Sequence, residues 1–125
     1  MPTILLVEDN EMNRDMLKRR LERKGYRVIT AQDGAEGYYF ARSKAPDLIL
    51  MDIGLPIMNG WDAAQKLKSD KATRHIPIIV LTAHALATDR AKAFELGCDD
   101  YDTKPVDFVR LQGKIENLLL VKKTS

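Results

Sequence analysis

The residues best suited to chemistry in this sequence stand at the ends of short apolar runs. Glu8 and Asp9 follow one such run, Asp52 follows a second, Thr82 ends a third, and Lys104 comes shortly after a fourth. Three carboxylates held close together repel one another, so one must be protonated or a cation must bind them. Mg²⁺ takes oxygen ligands, usually from one or two carboxylates and several waters. The pattern therefore predicts that Asp9 and Asp52 bind Mg²⁺ directly and that Glu8 does so through water.

Apolar runs and amphipathic stretches alternate along the chain, and this alternation predicts the architecture. The predicted strands cover residues 4–7, 26–31, 47–51, 77–81 and 98–102. The first predicted helix is capped by Asn10 and ended by Gly25, and the others cover residues 33–44, 61–69, 84–96 and 107–121. Five strand–helix pairs, (βα)5, predict an α/β fold, a doubly wound five-stranded parallel sheet with helices on both faces. Such sheets bind ligands outside the carboxyl ends of their strands, where the backbone carbonyl of Gly54 is expected to complete the metal site.

Each of these residues, taken alone, has an ordinary structural explanation. A carboxylate at the end of a strand usually caps a helix or forms a turn, and Asp102 and Asp107 are interpreted as turn acids of that kind. A threonine at a strand end usually packs, and a lysine before a proline is usually a solvated loop residue. These explanations do not account for acids, a hydroxyl and an ammonium group ending four strands of one sheet. The combination indicates one functional site.

Six segments of the sequence form a specific set. They are residues 7–10 (VEDN), 47–52 (DLILMD), 55–60 (LPIMNG), 78–83 (IIVLTA), 97–101 (GCDDY) and 103–105 (TKP). Together they resemble the receiver domains of two-component response regulators over essentially the whole chain. The resemblance implies the flavodoxin-like receiver fold, with strand order 2-1-3-4-5. We interpret residues 1–125 as a single stand-alone receiver domain with no output domain.

The resemblance also implies a function, phosphorelay signalling in which Asp52 accepts a phosphoryl group. Glu8 and Asp9 are then the metal-binding pair for Mg²⁺, with Mn²⁺ expected to substitute. Thr82 is the hydroxyl that senses the phosphoryl group, and Lys104 is its ion-pair partner. The product is a phospho-accepting switch rather than an enzyme that turns over an external substrate.

The switch itself is expected to act through the fourth and fifth strands. The backbone N–H of Ala83 can donate to the new phosphoryl oxygens, and the movement of Thr82 leaves space into which Tyr101 turns. A downstream protein then reads the face formed by the fourth helix, the fifth strand and the fifth helix. The resemblance further implies a cis peptide bond before Pro105, which is a minority conformation even for proline.

The expected donor is a histidine kinase or a histidine phosphotransferase. Its predicted docking surface surrounds the mouth of the site and consists of Met12, Asn13, Arg14, Met16 and Val106. The basic run over residues 14–24 has no interleaved aromatic residues, so we expect no direct contact with nucleic acid. No membrane contact is expected either, and the single Cys98 favours a cytoplasmic protein. We expect a monomer or a weak dimer.

Three alternatives differ in class or context. A Mg²⁺-dependent aspartyl-phosphate phosphohydrolase carries a second acid two residues after its nucleophile, where this chain has Gly54. A flavodoxin-like electron carrier needs neutral groups after the first strand, where Glu8 and Asp9 would repel a phosphate. The third alternative is that the chain is a receiver cut from a hybrid kinase or a multidomain regulator.

The lifetime of the phosphoryl group depends on residues that can orient a hydrolytic water. Gly54 lacks a side chain for this role and His84 is the one other candidate, so we expect dephosphorylation over minutes or longer.

Overall fold

A computed structural model of the chain describes residues 1–55, 58–83 and 87–124. Within these ranges five strands alternate with five helices. Their bounds are β1 (Thr3–Val7), α1 (Glu11–Arg23), β2 (Arg27–Ala31), α2 (Gly34–Lys44), β3 (Leu48–Asp52), α3 (Gly60–Ser69), β4 (Ile78–Thr82), α4 (Ala87–Glu95), β5 (Asp100–Thr103) and α5 (Phe108–Thr124). His84 and the predicted start of the fourth helix lie outside the described residues.

The five strands form one parallel sheet in the order β2-β1-β3-β4-β5, which confirms the predicted fold. The register brings the carboxyl ends of neighbouring strands level: Val7 pairs with Met51, Asp52 with Leu81, and Thr82 with Thr103. Residues that end or follow different strands therefore share one edge of the sheet.

Apolar side chains cover both faces of the sheet, as expected for parallel strands with helices on either side. On one face α1 and α5 pack against Ile4 and Leu6. On the other face α2, α3 and α4 pack against Leu5 and Val7. Every residue of β3 and of β4 is buried, so the two central strands form a rigid base for what lies at their ends.

Capping side chains fix where the helices start. The side chain of Asn10 accepts a hydrogen bond from the N–H of Asn13 at the start of α1, and Asp33 caps α2 in the same way. Gly25 follows α1 with φ +94°, a conformation that favours glycine. These observations confirm the predicted boundaries of α1.

The structure moves most of the predicted strand boundaries by one or two residues. The strands β3 and β4 each start and end one residue later than predicted, so Asp52 and Thr82 lie within the sheet. The fifth strand was predicted over residues 98–102 but covers Asp100–Thr103. Asp99, just before it, bonds the backbone of Ile78 through both its N–H and its side chain, each at 2.9 Å. No helix within the described ranges has the length and the apolar character that crossing a bilayer requires.

Candidate functional site

Three carboxylates meet at the carboxyl edge of the sheet. Glu8 directly follows β1, where its N–H donates to the carbonyl of Ala31 at 3.0 Å, and its side chain is buried. Asp52 ends β3 and is also buried, whereas Asp9 is exposed. One oxygen from each of the three carboxylates lies within 4.8 Å of the others. The acids that the sequence analysis singled out are therefore neighbours in space.

Lys104 joins this cluster from the loop after β5. Its Nζ lies 2.8 Å from Glu8 Oε1 and 2.9 Å from Asp52 Oδ2. Its backbone N–H donates to the carbonyl of Thr82 at 2.7 Å, which anchors the loop to β4. The Lys104–Pro105 peptide bond is cis, as predicted. One ammonium group thus bridges two of the three acids.

The proton affinities of these groups reflect their crowding. Burial raises the pKa of Glu8 to about 7, and the hydrogen bond and negative charge of Asp52 act in the same direction, while Lys104 opposes them. Burial lowers the pKa of Lys104, but its hydrogen bonds to Glu8 and Asp52 and their charges outweigh burial, so the net shift is upward. A single ammonium group therefore leaves the cluster with an excess of negative charge.

This donor set fits a hard divalent cation. The three carboxylates offer oxygen atoms within 4.8 Å of one another, and Mg²⁺ prefers oxygen ligands and retains several waters. Asp9 is exposed, so the cluster opens to solvent on one side. Gly54 is also exposed, and its N–H donates to Asp52 Oδ1 at 3.2 Å. Metal ligation by the Gly54 carbonyl stays a prediction.

The predicted switch residues lie on β4 and β5. Thr82 is buried at the end of β4, and its Oγ1 lies 3.4 Å from Asp89 Oδ2 of α4. Ala83 follows it and is exposed. Tyr101 is half-buried on β5, where Arg90 of α4 lies 5.7 Å and Lys114 of α5 lies 5.1 Å from the centre of its ring. The ring is therefore in contact with both helices of the predicted output face.

Three of the five predicted docking residues line a groove beside the site. A cavity of about 410 Å³ is lined by Asn13 and Met16 of α1, by Val106, and by Glu8 and Lys104 of the charged cluster. A second cavity further along α1 is lined by Met12, whose side chain is 79% exposed. The groove is therefore continuous with Glu8 and Lys104 of the charged cluster.

The fifth docking residue, Arg14, is placed differently. Its Nη1 donates to the carbonyl of Glu8 at 3.0 Å and lies 3.5 Å from the carbonyl of Asp9. Arg14 is half-buried and lines neither of the two cavities. Its guanidinium faces the loop that carries the acids.

The interpretation of Asp102 as a turn acid is wrong. It lies within β5, is 3% exposed, and accepts a hydrogen bond from Arg110 Nε at 2.8 Å. Lys114, one turn further along α5, lies 4.0 Å from its other oxygen. The sequence could have indicated this pairing, because Arg110 and Lys114 are four residues apart on the last helix and therefore lie on one face. Asp107, by contrast, accepts from the N–H of Arg110 at the start of α5, as a turn acid does.

Comparisons with known proteins agree with this geometry. Residues 4–116 match the family model of the response regulator receiver domain. The polar-differentiation response regulator DivK of Brucella ovis is 38% identical to this chain over 117 residues, which cover 94% of this chain and 95% of DivK.

Two solved structures of receiver domains are similar to this chain over nearly its whole length. The receiver domain of a signal transduction histidine kinase from Syntrophus aciditrophicus has a TM-score of 0.91 and 34% identity, with 100% of this chain and 95% of that chain covered. The receiver domain of a sensor histidine kinase from Pseudomonas aeruginosa has a TM-score of 0.87 and 36% identity, covering 94% and 97%. That structure has a magnesium ion coordinated in its active site cleft.

Proposed function

This chain belongs to the family of response regulator receiver domains, whose function is phosphorelay signalling, and we propose that Asp52 is the residue on which it accepts the phosphoryl group. The observation that carries the proposal is the position of Lys104 Nζ, 2.9 Å from Asp52 Oδ2 and 2.8 Å from Glu8 Oε1. An ammonium group held beside one carboxylate of an acidic cluster is placed to neutralise charge that arrives there.

The chemistry is transfer from a phosphohistidine. A carboxylate oxygen of Asp52 forms a bond to phosphorus while the bond from phosphorus to the histidine nitrogen breaks, and the imidazole leaves with the electron pair. Such transfers depend on positioning and on neutralisation of the phosphoryl oxygens. Lys104 supplies one positive charge from the protein. Mg²⁺, with Mn²⁺ as a substitute, would be held by Glu8, Asp9 and Asp52 and would supply the rest of that neutralisation.

The phosphorylated state differs from the free state by about 1.5 to 2 negative charges and by strong acceptor oxygens. Asp52 pairs with Leu81 on the neighbouring strand, and Thr82 is the next residue of that strand. The hydroxyl of Thr82 is therefore a candidate donor to the phosphoryl oxygens, together with the N–H of Ala83. Reorientation of Thr82 would break its contact with Asp89 and so alter the contacts between β4 and α4. Tyr101 would then turn toward the space that Thr82 leaves. The output face on α4, β5 and α5 is the surface that we expect a downstream protein to read.

The donor is a histidine kinase or a histidine phosphotransferase, which we place over α1 and the loop after β5. The cavity of about 410 Å³ supports this placement, because Asn13, Met16 and Val106 line it together with Lys104. Met12 is exposed at one end of the same surface. A phosphohistidine seated in this groove would lie beside Glu8 and Lys104.

The remaining features of the proposal concern the kind of protein. We propose a phospho-accepting switch rather than a hydrolase, since Gly54 occupies the position where an aspartyl-phosphate hydrolase has its second acid. The switch works as a monomer or weak dimer in the cytoplasm, without direct contact to nucleic acid or membrane. The free Cys98 is buried, and burial raises the pKa of its thiol to about 11, so the thiol stays protonated and unreactive.

The test is phosphoryl transfer from an autophosphorylated histidine kinase, with and without chelation of Mg²⁺. We expect wild-type protein to be labelled only when Mg²⁺ is present, and Asp52→Asn to remain unlabelled. Asp99→Asn is the matched control, because Asp99 lies at the amino end of β5, away from the acids, and we expect it to be labelled like the wild type. Undiminished labelling of Asp52→Asn would refute the assignment.

A further inference from the structure

Arg14 connects the first turn of α1 to the loop that carries two of the three acids. Its Nη1 lies 3.0 Å from the carbonyl oxygen of Glu8 and 3.5 Å from that of Asp9. Its own N–H donates to the carbonyl of Asn10 at 2.9 Å, within the helical hydrogen-bond pattern. The side chain therefore folds back over the loop between β1 and α1.

We propose that Arg14 is a positioning residue for Glu8 and Asp9, and that it acts on metal binding rather than on donor docking. The proposal rests on the proposed function, since it assumes that these acids hold Mg²⁺. It differs from the prediction made from sequence, which placed Arg14 on the docking surface around the mouth of the site.

Other contacts restrain the side chain of Glu8 and the ends of the loop between β1 and α1, including the ion pair from Lys104 Nζ to Glu8 Oε1 at 2.8 Å. The N–H of Glu8 makes the bond to Ala31, and β1 ends one residue earlier. The side chain of Asn10 is used to cap α1, and its N–H reaches Glu8 Oε2 at a long 3.3 Å. The carbonyls of Glu8 and Asp9 lie in the chain between the last strand hydrogen bond and the first hydrogen bond of α1. The side chain of Arg14 contacts both carbonyls.

The position of Arg14 on α1 suits this role. Arg14 precedes the buried residues Leu17 and Leu21 by three and seven residues, so all three share the inward face of the helix. Residues on the outward faces, such as Asn13 and Met16, line the docking groove instead. The half-buried guanidinium is thus held against the loop by the packing of the helix on the sheet.

The chemistry of the side chain separates positioning from charge. Both contacts come from one nitrogen of the guanidinium, Nη1. The planar guanidinium fixes the directions of its N–H bonds, whereas an ammonium group is a compact, strongly hydrated point charge on a flexible stem. If charge alone mattered, Arg14→Lys would behave like the wild type. If the fixed N–H directions of the guanidinium hold the loop, Arg14→Lys and Arg14→Gln would both weaken metal binding. Groups that orient metal ligands typically contribute about 10- to 100-fold to metal affinity.

The experiment is a calorimetric Mg²⁺ titration of the full chain and of three variants, with thermal melting as a check on folding. We expect Arg14→Lys and Arg14→Gln to lose about tenfold or more in Mg²⁺ affinity. Arg27→Gln removes one exposed positive charge at the amino end of β2, and we expect it to keep wild-type affinity.

Two phosphoryl donors then distinguish positioning from docking. With acetyl phosphate, which needs no docking surface, we expect both Arg14 variants to be slow at low Mg²⁺ and to recover at saturating Mg²⁺. Affinities within twofold of the wild type, or a defect seen only with a protein donor, would overturn the proposal and return Arg14 to the docking surface. Failure of the wild type itself to bind Mg²⁺ would instead refute the proposed function on which the proposal rests.

Discussion

Replacing Gly60 with alanine tests how closely α3 approaches the strand that carries Asp52. Gly60 is the first residue of α3, and its N–H donates to the carbonyl of Ile53 at 2.9 Å. A Cβ at this position would lie 2.2 Å from the carbonyl oxygen of Asp52 and 2.6 Å from Ile53 Cα. Ordinary contacts of a Cβ begin at 3.4 Å. Either α3 or the backbone of Asp52 must therefore move by more than an ångström.

The expected size of the effect follows from that displacement. Forcing extra atoms into a packed site typically costs about 1–3 kcal/mol. Alanine is favoured over glycine inside a helix by about 0.5–1 kcal/mol, which offsets part of the cost. We expect Gly60→Ala to lower the free energy of unfolding by about 1–2 kcal/mol. Because a shift of about 1 Å can slow a positioned reaction about 100-fold, we also expect phosphorylation of Asp52 to slow by at least about tenfold.

The assay combines urea unfolding with the rate of phosphorylation by acetyl phosphate at saturating Mg²⁺. Gly113→Ala is the matched control, because Gly113 lies in α5 and a Cβ there meets nothing within 4 Å. The same substitution should stabilise the protein there by about 0.5–1 kcal/mol and leave the rate unchanged. If Gly60→Ala proved as stable and as fast as the wild type, the close approach of α3 to Asp52 would be wrong.

Three further predictions concern stability and the lifetime of the phosphoryl group. Ala45 ends α2 with φ 45°, so Ala45→Gly should raise the free energy of unfolding by about 0.5–1 kcal/mol in urea; a loss would contradict the left-handed conformation. The hydrogen bond from the hydroxyl of Tyr38 lowers the pKa of Asp70 below its usual 3.8. A carboxyl whose pKa is lower in the folded protein than in the unfolded chain stabilises the fold at pH values above the unfolded pKa, and this stabilisation is lost as the pH falls through the folded pKa. The urea midpoint of the wild type should therefore exceed that of Tyr38→Phe at pH 7, and the difference should shrink below about pH 4; a difference that is independent of pH would exclude this interaction. Phosphorylated wild type should decay over minutes or longer in excess Mg²⁺ and Gly54→Asn should decay faster; a wild-type half-life of seconds would contradict this.

Much of the fold could be predicted because its causes are local. Strands buried on both faces must be continuous apolar runs, and β3 and β4 show that pattern. Asn10 and Asp33 are residue types that cap helices, so they predict where α1 and α2 start. Motifs at the strand ends imply a shared edge once the strands are parallel and ordered 2-1-3-4-5. The strand order itself came from the resemblance and not from the periodicity of the chain.

The parts that could not be predicted depend on which side chains meet across elements. Arg14 and Arg110 are ordinary helical arginines in the sequence, yet one contacts the carbonyls of Glu8 and Asp9 and the other an almost buried Asp102. The side chain of Asp99 accepts a hydrogen bond from the backbone of Ile78 on the neighbouring strand, a contact that the sequence does not reveal. That residues 1–125 form one receiver domain without an output domain stays a prediction.

The account depends most directly on which residue carries the phosphoryl group. Protein phosphorylated in the presence of Mg²⁺ can be reduced with borohydride, which cleaves an acyl phosphate and leaves an alcohol at the modified residue. Tandem mass spectrometry of the peptides then locates that residue. We predict conversion of Asp52 alone, with Glu8, Asp9 and Asp102 unchanged. Conversion of any other acid, with Asp52 unmodified, would contradict the account.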